Sequence, residues 1–172
     1  MTSFCETTNT ISSLIDNNDF DNLLSELSKT TFIHEPELLE ILPLLLEKIG
    51  DYKLSEKATQ CGEVIISKMN PFAMKAYMNI LYEGLTSLKW QVKKASLILL
   101  GSLAKHQKEI VKFNLPNMIL KLINMANDVK KDVKDQTKVC FEELCSVIDN
   151  VDIIKIIPNV IKGYMEPVKY TE

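Results

Sequence analysis

Apolar residues recur at helical spacing along nearly the whole chain. In EPELLEILPLLLEKIG, Leu39, Leu42, Leu46 and Ile49 fall at steps of three, four and three, one stripe of a helix. Gly50 stands where such a helix stops. KLSEKATQCGEVIISKMN presents Leu54, Ala58, Cys61, Ile65 and Met69 at similar steps. Asn70-Pro71 then breaks the pattern, because proline pushes the residue before it out of helical geometry. FAMKAYMNILYEGLTS predicts a third helix and KWQVKKASLILLGSLAKH a fourth. LPNMILKLINMAND, KKDVKDQTKVCFEELCSVID and NVDIIKIIPNVIKGYM continue the run. Ahead of these, SSLIDNNDF and DNLLSELSKT predict one or two short helices. They are polar and acidic, suited to capping the first apolar face against water. No segment sustains the alternation of a strand.

The helices pair, and the pairs resemble one another. ILPLLLEKIGDYKLSEK (41–57) lies over MNILYEGLTSLKWQVK (78–93) at an offset of 36, which matches Lys53 with Lys89 and Ile49 with Leu85. ANDVKKDVKD (126–135) sets Val133-Lys134 beneath Val92-Lys93 at an offset of 41. IIKIIPNVIKGY (153–164) repeats LLEILPLLLEKI (38–49) at an offset of 115, with Pro158 under Pro43. A period of roughly 38 residues belongs to helical solenoids, whose hairpins bury their apolar faces only by stacking. Pro43 and Pro158 fall inside the first helix of their pairs, where proline removes a hydrogen bond. Asp51 and Asp128 fall at the turn into the second helix, where a short carboxylate accepts bonds from free backbone donors. The pattern predicts an all-α, right-handed α-solenoid of three full helical hairpins and a partial fourth. Its parts are acidic capping helices over 1–34, the solenoid over 35–165 and a frayed tail over 166–172.

ILPLLLEKIGDYKLSEKA resembles the general HEAT pattern: proline in the first helix, aspartate at the turn, lysine early in the second. Asn70-Pro71-Phe72-Ala73, Lys89-Trp90-Gln91-Val92-Lys93, the Asp128–Lys134 turn, Asp149-Asn150, Asp152-Ile153 and Ile157-Pro158 carry a narrower resemblance. Together they resemble the N-terminal HEAT region of translation elongation factor 3, the fungal-type ribosome-bound ATPase, over about residues 35–165. A large coactivator of an eIF2α kinase has a related stretch. The resemblance implies a scaffold that docks on ribosomal protein and rRNA in the cytoplasm. The family's nucleotide-binding cassettes have no counterpart here. None of the five glycines opens a G-x-x-x-x-G-K-[ST] phosphate cradle, so the chain is expected to be no enzyme and to need no cofactor. The other reading is a HEAT adaptor for protein partners unrelated to translation.

Charge sharpens the picture. The net charge is −3, but residues 1–52 carry about −8 and residues 53–172 about +5. Between Lys89 and Lys138 stand eleven lysines against four acids, and the chain has no arginine. Lysine meets phosphate as a mobile point charge, not a planar fork. Lys53, Lys89, Lys93, Lys130, Lys131 and Lys134 recur near the starts of second helices. Two compatible readings follow: a structural ladder with Asp51 and Asp128, and a basic ridge facing rRNA or acidic protein. Lys94 and Trp90 belong to the same stretch. Trp90 either fills a seam between hairpins or lies exposed and stacks on a partner.

Catalytic chemistry finds little footing. His34 beside Glu35 and Pro36 suits a loop or cap, and His106 ends the lysine-rich helix near its negative pole. The four cysteines form no CxxC pair, and two histidines complete no zinc site. Glu142-Glu143 near Cys140 lacks a nearby histidine for a nucleophile. No apolar run approaches the roughly 18 residues of a membrane span, and the N-terminus lacks the basic and apolar parts of a secretory leader. Neither a membrane nor DNA is an expected partner. An unfinished last hairpin leaves Ile154, Ile157 and Ile161 partly uncovered and invites self-association.

Overall fold

The computed structural model describes residues 4–29 and 35–165. His34 and the tail over 166–172 lie outside the described residues. Among those described are nine helices and no strand. In chain order they are α1 (Phe4–Asp16), α2 (Phe20–Lys29), α3 (Glu35–Gly50), α4 (Ser55–Lys68), α5 (Met74–Leu85), α6 (Trp90–His106), α7 (Lys108–Ala126), α8 (Lys131–Cys145) and α9 (Val151–Met165). The chain divides into two compact units, Met1–Leu99 and Leu100–Glu172.

In the first unit α1 packs on α2 and α3, α2 on α4, and α3 on both α4 and α5. Odd-numbered helices therefore neighbour odd, and even neighbour even, as in stacked hairpins. The two N-terminal helices join this scheme as a hairpin of their own. Asn18, at φ 59°, turns the chain between them, and the Asp19 N–H reaches back to the Leu14 carbonyl at 2.9 Å. Asp19 Oδ1 then accepts the Asn22 N–H at 3.3 Å and starts α2. The predicted stripes face inward: Leu42, Leu46 and Ile49 of α3, and Ala58, Cys61 and Ile65 of α4, are buried. Lys68 donates to the Leu27 and Ser28 carbonyls, two of the acceptors left open in the last turn of α2. In the second unit α7 pairs with α8, and α9 packs on both. The all-α helical-hairpin fold read from the sequence is the fold observed.

Helix α7 departs from the sequence reading. It begins at Lys108, well ahead of the predicted Leu115, and carries Pro116 in its interior. Buried Val111 extends the stripe of Met118, Leu122 and Ala126 upstream, which holds the helix together past the proline. Pro43, Pro116 and Pro158 thus all lie inside odd-numbered helices, with their rings exposed to solvent.

Helix α9 departs in a second way. Ile154 is exposed and Ile157 partly buried, as the unfinished hairpin implied, but Ile161 is buried. The uncovered apolar stripe is instead Ile153, Ile156 and Val160, spaced three and four apart on one side of the helix.

Candidate functional site: the turns between paired helices

Three turns connect the first helix of a hairpin to the second, and they are built alike. Asp51 Oδ1 accepts the Lys53 N–H at 3.0 Å. Ser87 Oγ accepts the Lys89 N–H at 3.2 Å. Asp128 Oδ1 accepts the Lys130 N–H at 2.9 Å. In each case a short side-chain oxygen closes a turn on the amide two residues on, and that residue is lysine. The register is the one the repeat offsets of 36 and 41 require. Aspartate and lysine do meet at these turns, but through the lysine backbone. The side chains of Lys53 and Lys130 are left exposed, together with that of Lys131.

The other candidates sit less openly. Lys93 and Lys94 of α6, and Lys134 of α8, are partly buried. Lys89 is exposed, and its Nζ pairs with Glu47 Oε1 at 2.6 Å. Both members of that pair are more than half exposed, so solvent screens it and it adds little to stability. Trp90, the first residue of α6, is partly buried, which places it between the two roles considered for it. Lys53, Lys89, Trp90, Lys93 and Lys94 belong to the first unit, and Lys130, Lys131 and Lys134 to the second.

Within the first unit, Gly50 explains how two of the turns come together. A Cβ on Gly50 would lie 2.8 Å from Gln91 Cβ and 3.1 Å from the Gln91 carbonyl carbon. Only glycine lets the end of α3 approach the start of α6 so closely. The Tyr52-Lys53 and Leu88-Lys89 turns each lie within three residues of this contact along the chain.

The same logic explains three of the residues on which the narrower resemblance rested. Asn70 Oδ1 accepts the Phe72 N–H at 3.0 Å, closing the turn from α4 to α5. Asn150 Oδ1 accepts the Ile153 N–H at 3.4 Å at the start of α9. Asp149 pairs with Lys112 of α7 at 2.7 Å, and that hydrogen bond holds its carboxyl below the usual range. These positions build turns and helix starts.

Nucleophile chemistry is disfavoured by the environment of the thiols. Cys61, Cys140 and Cys145 are free and buried. Burial, reinforced by Asp21, pushes the Cys61 thiol up to about 11, and its Sγ rests 3.7 Å from the Phe20 carbonyl. Burial also raises Cys140 well above its ordinary value, with Glu143 and Cys145 adding to the effect, and burial raises Cys145. An activated cysteine needs the opposite shift. In a Cys5→Ser variant at pH 8, none of these three is expected to react with Ellman's reagent at the rate of a free thiol. Unfolding in guanidinium should release all three. Rapid labelling of the native protein would contradict the burial described. Among the described residues no group of three His, Cys, Asp or Glu side chains could hold a metal, and no helix is long and apolar enough to cross a membrane.

Comparison with known proteins adds a family. A model of the EF3 N-terminal HEAT repeat matches residues 16–141, beginning within the N-terminal hairpin and ending in α8. Elongation factor 3 of Pneumocystis carinii is 32% identical over 154 residues, which cover 87% of this chain and 15% of that protein. The eIF-2-alpha kinase activator GCN1 of Saccharomyces cerevisiae is 25% identical over 140 residues, 80% of this chain and 5% of that one. The mouse protein named stalled ribosome sensor GCN1 is 27% identical over 155 residues, covering 89% and 6%. The chain thus spans a small fraction of the relatives it matches.

Proposed function

Because the chain belongs to the EF3 N-terminal HEAT-repeat family, we propose that it is a non-catalytic scaffold that docks on ribosomes in the cytoplasm, contacting ribosomal protein and rRNA. The observation that carries this reading is the repeated turn, which sets an exposed lysine at the same position of three hairpins. Lysines held on fixed backbone with exposed side chains, Lys89 among them in a solvent-screened pair with Glu47, suit a phosphate-rich or acidic surface. Any nucleotide hydrolysis lies outside this part in such a reading. The uncovered stripe of α9 is the surface through which self-association would run.

The test is co-sedimentation with purified Saccharomyces cerevisiae ribosomes across a salt series. The native chain is compared with a Lys53→Glu, Lys89→Glu, Lys130→Glu, Lys131→Glu variant whose fold is checked by circular dichroism. Native binding is expected to fall steeply with salt, since each phosphate contact releases counterions. The variant is expected to bind at least about tenfold more weakly at 0.1 M salt and to show a shallower salt slope. Absence of native binding even at low salt would overturn the ribosome reading and leave a HEAT adaptor for another protein.

A further inference from the structure

The residue between the accepting oxygen and the lysine in each repeated turn is apolar or largely so: Tyr52, Leu88 and Val129. Each is as exposed as a side chain can be, at 97%, 103% and 96%. A single exposed apolar side chain is ordinary. Three at one register of a repeat, each followed by a lysine, form a pattern. The turn needs only the short oxygen before this position and the amide after it, so folding gives no reason for an apolar residue there. In the first unit the surface continues inward from Leu88 as a shallow groove. Pro43 and Ile80 contribute apolar lining, and Glu47 and Glu83 border it.

Resting on the ribosome reading above, we propose that the paired tips Tyr52-Lys53 and Leu88-Lys89 dock on a protein component, at an apolar recess edged by acidic side chains. Tyr52, with its ring and hydroxyl, suits either surface, and it is the aliphatic tip that decides for protein over rRNA. Aliphatic Leu88, like Val129 in the second unit, offers no donor and no ring for stacking, which are the means by which RNA bases are held. Such a side chain gains only by leaving water for an apolar cavity. Beside the groove Glu47 is balanced by its pair with Lys89, whereas exposed Glu83 repels a phosphate backbone and accepts a hydrogen bond from a partner's basic group. Lys53 sits one residue from Tyr52 and meets an acid at the rim of the same recess. The contact is therefore apolar at its centre and charged of both signs at its edge, the anatomy of a protein interface. The close approach at Gly50 places the two tips to act together.

The experiment replaces Tyr52, and separately Leu88, by p-benzoylphenylalanine and irradiates each variant bound to purified yeast ribosomes. Adducts to a ribosomal protein, unaffected by ribonuclease, are the expected result. A Tyr52→Ser, Leu88→Ser variant should bind about tenfold or more weakly, with the salt slope of the native chain. Adducts to rRNA alone, or no adducts from a chain that still co-sediments, overturn the proposal while leaving the ribosome reading in place. Serine variants that bind as the native chain does, while the four-lysine variant fails, have the same meaning. A native chain that does not co-sediment at all overturns both.

Discussion

Replacing Phe141 by alanine is expected to lower the free energy of unfolding by about 3–5 kcal/mol. Phe141 lies in α8 and is 2% exposed. It lines one apolar recess together with Ile119 of α7 and Ile157 and Ile161 of α9, so α7, α8 and α9 all contribute to its surroundings. Truncation removes the transfer energy of the ring and leaves a cavity that stiff helices fill only in part. Against a total stability of about 5–15 kcal/mol for a domain, that is a large share. A urea titration followed by circular dichroism reads it as a lower midpoint. Phe141→Leu keeps most of the volume and is expected to cost under about 1.5 kcal/mol. A midpoint unchanged in the alanine variant would mean that the ring does not hold these helices together.

The helices and their register were legible in the sequence because both depend on local chemistry. Stripes such as Leu42, Leu46 and Ile49 mark the buried face directly. The offsets of 36 and 41 place Asp51, Ser87 and Asp128 at one position, and the structure gives all three the same hydrogen bond. What escaped depends on tertiary context. Pro116 reads as a helix start, and only the burial of Val111 shows that the helix has begun earlier. Ile161 reads as uncovered in an unfinished hairpin, but α9 turns it toward its neighbours. The site was half legible. The repeating lysines stood out, whereas Tyr52, Leu88 and Val129 blended into the apolar pattern of the flanking helices. The signal that identifies them is a short side chain with an accepting oxygen, an apolar residue and a lysine, recurring at hairpin spacing. Their exposure is a property of the turn geometry, which no periodicity encodes. Asn70 and Asn150 show the converse: residues that carry a family likeness are here turn builders.

Gly84→Ala is expected to destabilise the first unit by about 2 kcal/mol, against the usual benefit of alanine in a helix. Gly84 is buried in α5, and a Cβ there would fall 2.1 Å from Ser96 Oγ, 3.2 Å from Ser96 Cβ and 3.4 Å from Leu46 Cδ1. Ser96, fully buried in α6, is tied to the Val92 carbonyl at 2.9 Å. Its hydroxyl cannot rotate out of the way without losing that bond, and the contact with its Cβ remains in any rotamer. The two helices must therefore separate, and separation loosens the buried stripe of α5, including Leu81 and Leu85. Ser96→Gly supplies the space. Alone it weakens α6 by about 0.5 kcal/mol through helix propensity. Combined with Gly84→Ala it should return most of the lost stability, a favourable coupling of about 1–2 kcal/mol in a double-mutant cycle. Additive losses would show that α5 and α6 are not in backbone contact at Gly84. Rescue would establish the α5–α6 pairing as a hairpin held by a small residue on one helix and a serine on the other. That pairing also fixes where α6 begins, and with it the Leu88-Lys89 tip.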